Sequence, residues 1–424
     1  MKYAYINGLI LDGSQDMSPQ EGLTILTDGE IIEGLVAADT PLDGYTVIDL
    51  AGRYIMPGLI NLHVHLPGDG RPVDIQSAAE ANQTSNPAAL MEQLYALCVR
   101  SAQTELMSGV TTIRTVGGVQ NMDTMIRNRI LSGELQGPRI LASNMAISVP
   151  DGHMAGTLAY IAESQEQTRA YVQQIAQDKP DLIKLMVTGG VLDAKVKGEP
   201  GELRMPAAYV QAACAEAHRL GLKVAAHVES PQGVQVALEN GVDTIEHGAQ
   251  PNEQILKLFQ QRQASFIATI SPSIPFVYFD PAVSHISELE QYNGAIVFQG
   301  VIACAKSCMA QSIPVGLGTD TGCPYITHYD MWRELYYFHK YCSVSNAFAL
   351  YTATQLNAQI AGLGETTGTI CAGKCADFIV TQQNPLEDLK ALRQLDMVVS
   401  RGQIFNQPVV DKVPEIDALL DNYL

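Results

Sequence analysis

Eight short apolar runs, each followed by a stretch of helical character, fill the middle of this 424-residue chain. They read GLINLHVHL, VTTIRTV, RILASNM, LIKLMVT, KVAAHV, VDTIEHG, ASFIATIS and PVGLGTD. Strands alternating with helices point to a parallel sheet built from βαβ units. Helical candidates between them include 87–108, 206–220, 231–240 and 294–311. The second of these has a proline near its start and Gly221 just past its end. Eight strand–helix repeats is the count of a (β/α)8 TIM barrel. An open doubly wound sheet is the alternative, but no glycine-rich dinucleotide fingerprint follows any strand. The near-match TVGGVQ lacks both the spacing and a suitably placed acidic partner.

Both ends of the chain read differently. Residues 1–57 form short strand-like runs split by turns (YAYINGLILDG, GLTILTDGEIIEGL, YTVIDLAGRYIMPG). Residues from 366 onward do the same (TGTICAGKCADFIVTQ, LDMVVSRGQIFN). The expected fold class is therefore α/β. A (β/α)8 barrel over 58–365 is joined by a small composite β-sandwich domain made from 1–57 and 366–424. A hydrophobic content of 46% supplies ample core and argues against disorder.

A formal net charge of −19 disfavours nucleic acid and anionic membrane as partners. The segment MKYAYINGLILDGSQD has no basic start followed by a long apolar core, and no apolar run is expected to reach spanning length. The eight cysteines are expected to be reduced, mostly buried thiols rather than metal ligands. Together these readings give a cytoplasmic homo-oligomer acting on a small-molecule substrate.

Chemistry is expected where polar residues end the apolar runs, since barrel enzymes work at the carboxyl ends of their strands. His63 and His65 are two apart and share one face of a strand. Lys184 lies in the fourth run, His227 in the fifth, His247 in the sixth, and Asp320 ends the eighth. Burying one unpaired charge costs several kcal/mol, so six such placements need a common reason. Four imidazoles and a carboxylate at one mouth fit a borderline divalent metal such as zinc. An ammonium is no metal ligand. Burial and nearby positive charge depress a lysine's pKa, however, and a neutral amine can add carbon dioxide to form a carbamate able to bridge two metals.

This ordered set resembles the amidohydrolase superfamily. The stretches MPGLINLHVH, IKLMVTGGV, EAHRLGLKVAAH, ALENGVDTIEHG and GKCADFIV are similar to the branch holding imidazolonepropionase-like enzymes and the Xaa-Pro and Xaa-Arg dipeptidases. The resemblance implies two divalent metal ions, with zinc expected. His63, His65 and Asp320 would hold one, His227 and His247 the other, and N6-carboxylysine at Lys184 would bridge them. It further implies hydrolysis of a C–N amide bond, in dipeptides or N-acyl amino acids, by a metal-bridging hydroxide. Lys184 and Asp320 would be the catalytic residues, with Asp320 as proton shuttle. Hydrolysis of a cyclic amide, imidazolone or lactone on the same site is the alternative, and a catalytically silent scaffold is the reading from outside enzymes.

Substrate contacts are expected from His153 in PDGHM, Arg114 near the end of the second run, Tyr278 in SPSIPFVYFD, and His328. Glu229 marks a departure, because the dipeptidases often carry an aromatic residue there while this chain reads HVES. It could prefer a cationic substrate group or simply favour the dipole of the helix that Ser230 and Pro231 begin. The polar loop LDAKVKGEPGELR suits a lid, and Lys195 and Lys197 could draw anions to it.

Overall fold

The computed structural model describes residues 1–72 and 86–424. The eight runs of the middle region all form strands, numbered here in chain order. They are β1 (Leu59–Val64), β2 (Val110–Thr115), β3 (Arg139–Leu141, resuming at Ala146–Ser148), β4 (Leu182–Met186), β5 (Lys223–Val228), β6 (Thr244–His247), β7 (Ser265–Ala268) and β8 (Val315–Leu317). Every pairing among them is parallel. Every residue of β1, β2, β4 and β6 is buried, as expected of a parallel sheet covered on both faces.

Two sheets contain these strands. β1, β2 and the first part of β3 make a three-stranded sheet. The second part of β3 runs on through β4 to β8, with the short strand Ala159–Ile161 on its outer edge. The interruption in β3 has a local cause. Asn144 takes a left-handed conformation (φ 59°), and the Ser143 hydroxyl accepts a hydrogen bond from the Gly117 N–H at 2.9 Å.

At the other edge the chain leaving β8 lies along β1. The Asp320 N–H donates to the His63 carbonyl, and the His65 N–H donates to that of Thr321, each at 2.9 Å. Gly318 permits this approach, since a Cβ there would fall 2.4 Å from the His63 Cβ and 2.6 Å from the His63 nitrogen. Gly318→Ala is expected to cost about 1–3 kcal/mol in a denaturant titration by forcing β8 away from His63.

Helix ends follow their capping chemistry. Asn86 caps Pro87–Met107, and Ser230 caps Pro231–Glu239. Glu288–Ala310 starts six residues before the expected 294, because Ser287 and Glu290 form a capping box. That helix corrects one expectation. Its most apolar stretch, at mean hydropathy 1.2, is long and apolar enough to cross a membrane by length and composition. Half of the stretch is buried, and the helix packs on Ser273–Tyr278, β7 and Met331–Cys342.

The chain ends form two further sheets. One orders Ile31–Ala37, Leu23–Asp28, Lys2–Ile6 and Thr46–Asp49. The other orders Gln403–Asn406, Met397–Ser400, Phe378–Thr381, Tyr54–Pro57 and Leu9–Ile10, so both ends of the chain contribute strands to it. Tyr5, Ile25 and Ile32 from the first share an apolar cluster with Ile55, Phe378 and Val399 from the second. Tyr54–Pro57 leads almost directly into β1, which ties this cluster to the strand bearing His63. The eight cysteines are all free thiols, five of them buried, and Cys304 and Cys308 lie on one helix with sulfurs 4.0 Å apart.

Candidate metal centre

His63 and His65 leave the end of β1 on one side, with ring centroids 5.3 Å apart. Each has its Nδ1 engaged behind it, His63 with Glu246 Oε2 at 2.8 Å and His65 with the Gly117 carbonyl at 2.9 Å. Both partners only accept, so the proton sits on Nδ1 and each Nε2 presents a lone pair forward. Those two Nε2 atoms lie 3.3 and 3.2 Å from Asp320 Oδ1. The His63 Nε2 is buried and has no hydrogen-bond partner among the described residues. Two lone pairs facing one carboxylate oxygen repel unless a cation sits among them. The ligand atoms of His63, His65 and Asp320 all lie within 4.8 Å of one another, and this group could hold a metal ion.

The other expected residues adjoin it. The His247 ring is 4.7 Å from that of His63 and 4.7 Å from that of His227. His247 Nδ1 meets Thr269 Oγ1 at 2.7 Å, while His227 turns its Nε2 to the Gly189 carbonyl at 3.2 Å, leaving Nδ1 for a ligand. Burial, then the charge of neighbouring histidines, holds both imidazoles well below their ordinary pKa, so they are neutral donors. Burial pushes the Lys184 ammonium down to about 8, against the pull of Glu246 and Asp320. His247 (φ 65°) and Asp320 (φ 58°) both occupy the left-handed region, a placement that clusters at functional sites.

All six residues line one cavity of about 450 Å³, with His153 and Glu229 beside them and Met186, Val191, Phe276 and Tyr325 among the apolar walls. His153 stacks on His227 at 4.1 Å between centroids and is fixed through Nδ1 by Asp193. Glu229 accepts from the Val191 N–H at 3.0 Å rather than from the amides of the helix after it. Burial and the charge of Asp320 push its carboxyl up to about 8.

Three expected substrate contacts lie elsewhere. Arg114 is buried under the site, with Nε on the Leu62 carbonyl at 2.7 Å and one amino group on both Glu246 oxygens at 2.7 and 2.8 Å. The guanidinium's other amino group donates to Thr244 Oγ1 at 3.1 Å, and Arg114 is not among the residues lining the cavity. His328 is held between Glu105 (3.3 Å) and the Gly68 carbonyl (2.7 Å), outside the cavity. Tyr278 ends a short helix with its ring against Tyr341 and Tyr423. In the loop after β4, Val191 and Leu192 reach the cavity, but Lys195 and Lys197 do not, and the Lys197 ammonium sits 4.6 Å from the Tyr292 ring.

Glu246 is the residue that sequence reasoning passed over. Its carboxylate fixes the His63 tautomer and is held far below the usual carboxylate range, Arg114 and His63 overcoming the cost of burial. The signal was present as a second ionisable residue inside the strand TIEH. Asn61 was also missed. It ties β1 to the chain after β8 by donating to Thr319 Oγ1 (2.8 Å) and accepting from the Thr319 N–H (3.0 Å).

The amidohydrolase family model matches residues 54–405, a span that contains the whole cavity. The chain belongs to the amidohydrolase family. As a member of it, the protein is similar to a provisionally named prolidase from Bifidobacterium longum, at 33% identity and a TM-score of 0.89 over 100% of this chain and 99% of that one. It is also similar to a Xaa-Pro dipeptidase solved with methionine in its active site, at 27% identity and a TM-score of 0.83 over 96% and 100%. Ochratoxinase of Aspergillus niger is 24% identical over 84% of this chain and 76% of its own length. The family, together with the His63, His65 and Asp320 group, agrees with the superfamily expected from the sequence.

Proposed function

We propose that this amidohydrolase is a metal-dependent hydrolase of C–N amide bonds that acts on dipeptides or N-acyl amino acids. The observation behind the reading is the convergence of His63, His65, Lys184, His227, His247 and Asp320 on a single cavity. Its architecture in this reading is a closed (β/α)8 barrel over 58–365 with a composite β-sandwich of 1–57 and 366–424. Supporting this are the backbone bonds from the chain after β8 to β1 and the sheet that draws strands from both ends.

His63, His65 and Asp320 would hold one divalent cation, zinc in this reading, and His227 and His247 a second. Lys184 would lie between them as a carbamate, formed when its neutral Nζ bonds to the carbon of carbon dioxide and loses a proton to solvent. Such cations, when bound, lower the pKa of water and polarise a scissile carbonyl. Asp320 takes the proton of the attacking water and delivers it to the departing nitrogen, so that water adds across the C–N bond to give a carboxylate and an amine. Glu246 and Gly117 hold the imidazoles of β1 in the donor tautomer. The apolar walls take the substrate's side chain and exclude bulk water.

Purified protein assayed against dipeptide and N-acyl amino acid panels, with zinc and carbonate supplied, tests the reading. It is expected to retain about two metals per chain, to lose activity with a chelator, and to weigh more by one carbon dioxide in native mass spectra until acidified. Protein that takes up no stoichiometric metal and cleaves no amide would overturn it.

A further inference from the structure

Glu229 stands apart from the other carboxylates of the cavity. Asp320 belongs to the metal centre, and Glu290 is occupied by the Ser287 backbone N–H (2.7 Å) and hydroxyl (2.6 Å) in a helix cap. Glu229 projects from the chain two residues past His227. Its Oε2 is fixed by the Val191 N–H, while its Oε1 has no hydrogen-bond partner among the described residues. The backbone beneath it is clamped. Its N–H donates to Thr188 Oγ1 at 3.0 Å, and Gly201 packs so closely that a Cβ there would fall 2.4 Å from the Glu229 carbonyl carbon. Among the described residues, Lys184 is the one lysine or arginine lining the cavity, so no arginine is there to neutralise Glu229.

We infer that Glu229 is the specificity-determining residue of this cavity and selects substrates bearing a cationic nitrogen on the acyl side of the cleaved bond. The inference rests on the amide-hydrolase reading and narrows it from N-acyl amino acids to aminoacyl compounds. A rigidly held carboxyl group with one oxygen left unpaired by the described residues gains a charge-assisted hydrogen bond when a ligand brings the opposite charge. An ammonium or guanidinium group does so and hydrogen-bonds that oxygen directly. Two sources share this chemistry, the α-amine of a dipeptide and a basic side chain of its first residue.

Three compounds with the same leaving amino acid separate them: alanyl-leucine, propionyl-leucine, and aminohexanoyl-leucine with its amine at the chain end. The wild-type protein is expected to favour one amine-bearing compound over propionyl-leucine by about tenfold or more in kcat/KM, and which one is favoured identifies the source. Glu229→Gln keeps an oxygen for the Val191 N–H while removing the carboxyl group that can pair with a cation, and should bring that ratio close to one. Glu229→Asp should recover part of it, which loss of shape alone would not explain. Calorimetric titration of alaninamide, its aminohexanamide counterpart and propionamide into wild-type and Glu229→Gln proteins supplies a readout independent of turnover. Protein that hydrolyses none of the compounds, yet binds an amine through Glu229, would sink the hydrolase reading and keep the cation site. A wild-type protein indifferent to the amine, or a preference that survives Glu229→Gln, would overturn the inference.

Discussion

Asp320→Asn is expected to lower kcat/KM by about 10²–10⁴-fold, the range associated with loss of a positioned proton carrier. Asparagine has nearly the same shape and keeps an oxygen near His63 and His65. It also tolerates the left-handed backbone (φ 58°) that this position adopts, so the substitution adds no conformational strain. What disappears is the negative charge and the capacity to take up a proton. Metal analysis should show the other ligands still holding part of the metal, and circular dichroism should show an unchanged fold. A variant that turns over near the wild-type rate would remove Asp320 from the proton-transfer role.

The six residues around the cavity were legible because each is polar inside an otherwise apolar run, and strand spacing alone put His63 and His65 on one side. The eight runs were legible because strands buried on both faces of a parallel sheet leave short, nearly continuous apolar signatures. What the sequence could not supply were partners. Arg114 could have served a substrate carboxylate or a buried acid. The choice was made by Glu246, 132 positions away, whose carboxylate takes up one amino group of its guanidinium. His328 meets Glu105 across 223 positions, and nothing local to THYD announces that pairing. Ser143, where β3 breaks, accepts a hydrogen bond from the Gly117 N–H 26 positions upstream. The start at Pro87 was legible from the apolar pattern alone, whereas Glu288–Ala310 begins earlier than its periodicity suggested because its Ser287–Glu290 cap was not read.

Arg114→Ala should destabilise the protein by about 3–5 kcal/mol, the cost associated with breaking a buried ion pair from one side. Glu246 is fully buried, and once the guanidinium is gone its charge keeps, among the described residues, His63, Thr244 and the more distant Lys184 for compensation. The Leu62 carbonyl on β1 also loses its donor. Arg114→Lys should rescue little, because one ammonium cannot reach the Leu62 carbonyl, Thr244 and both Glu246 oxygens at once. Combining Arg114→Ala with Glu246→Gln should recover stability relative to the single variant, since the orphaned charge is removed along with its partner. Urea midpoints measured on chelated protein isolate this effect from metal linkage. Metal titrations should then show the single variant binding about 10–100-fold more weakly, because the acceptor that sets the His63 tautomer is no longer held in place. A loss of stability under about 1 kcal/mol would mean that Glu246 escapes to solvent or takes up a proton at little cost. The ion pair would then not be what fixes His63 behind the site.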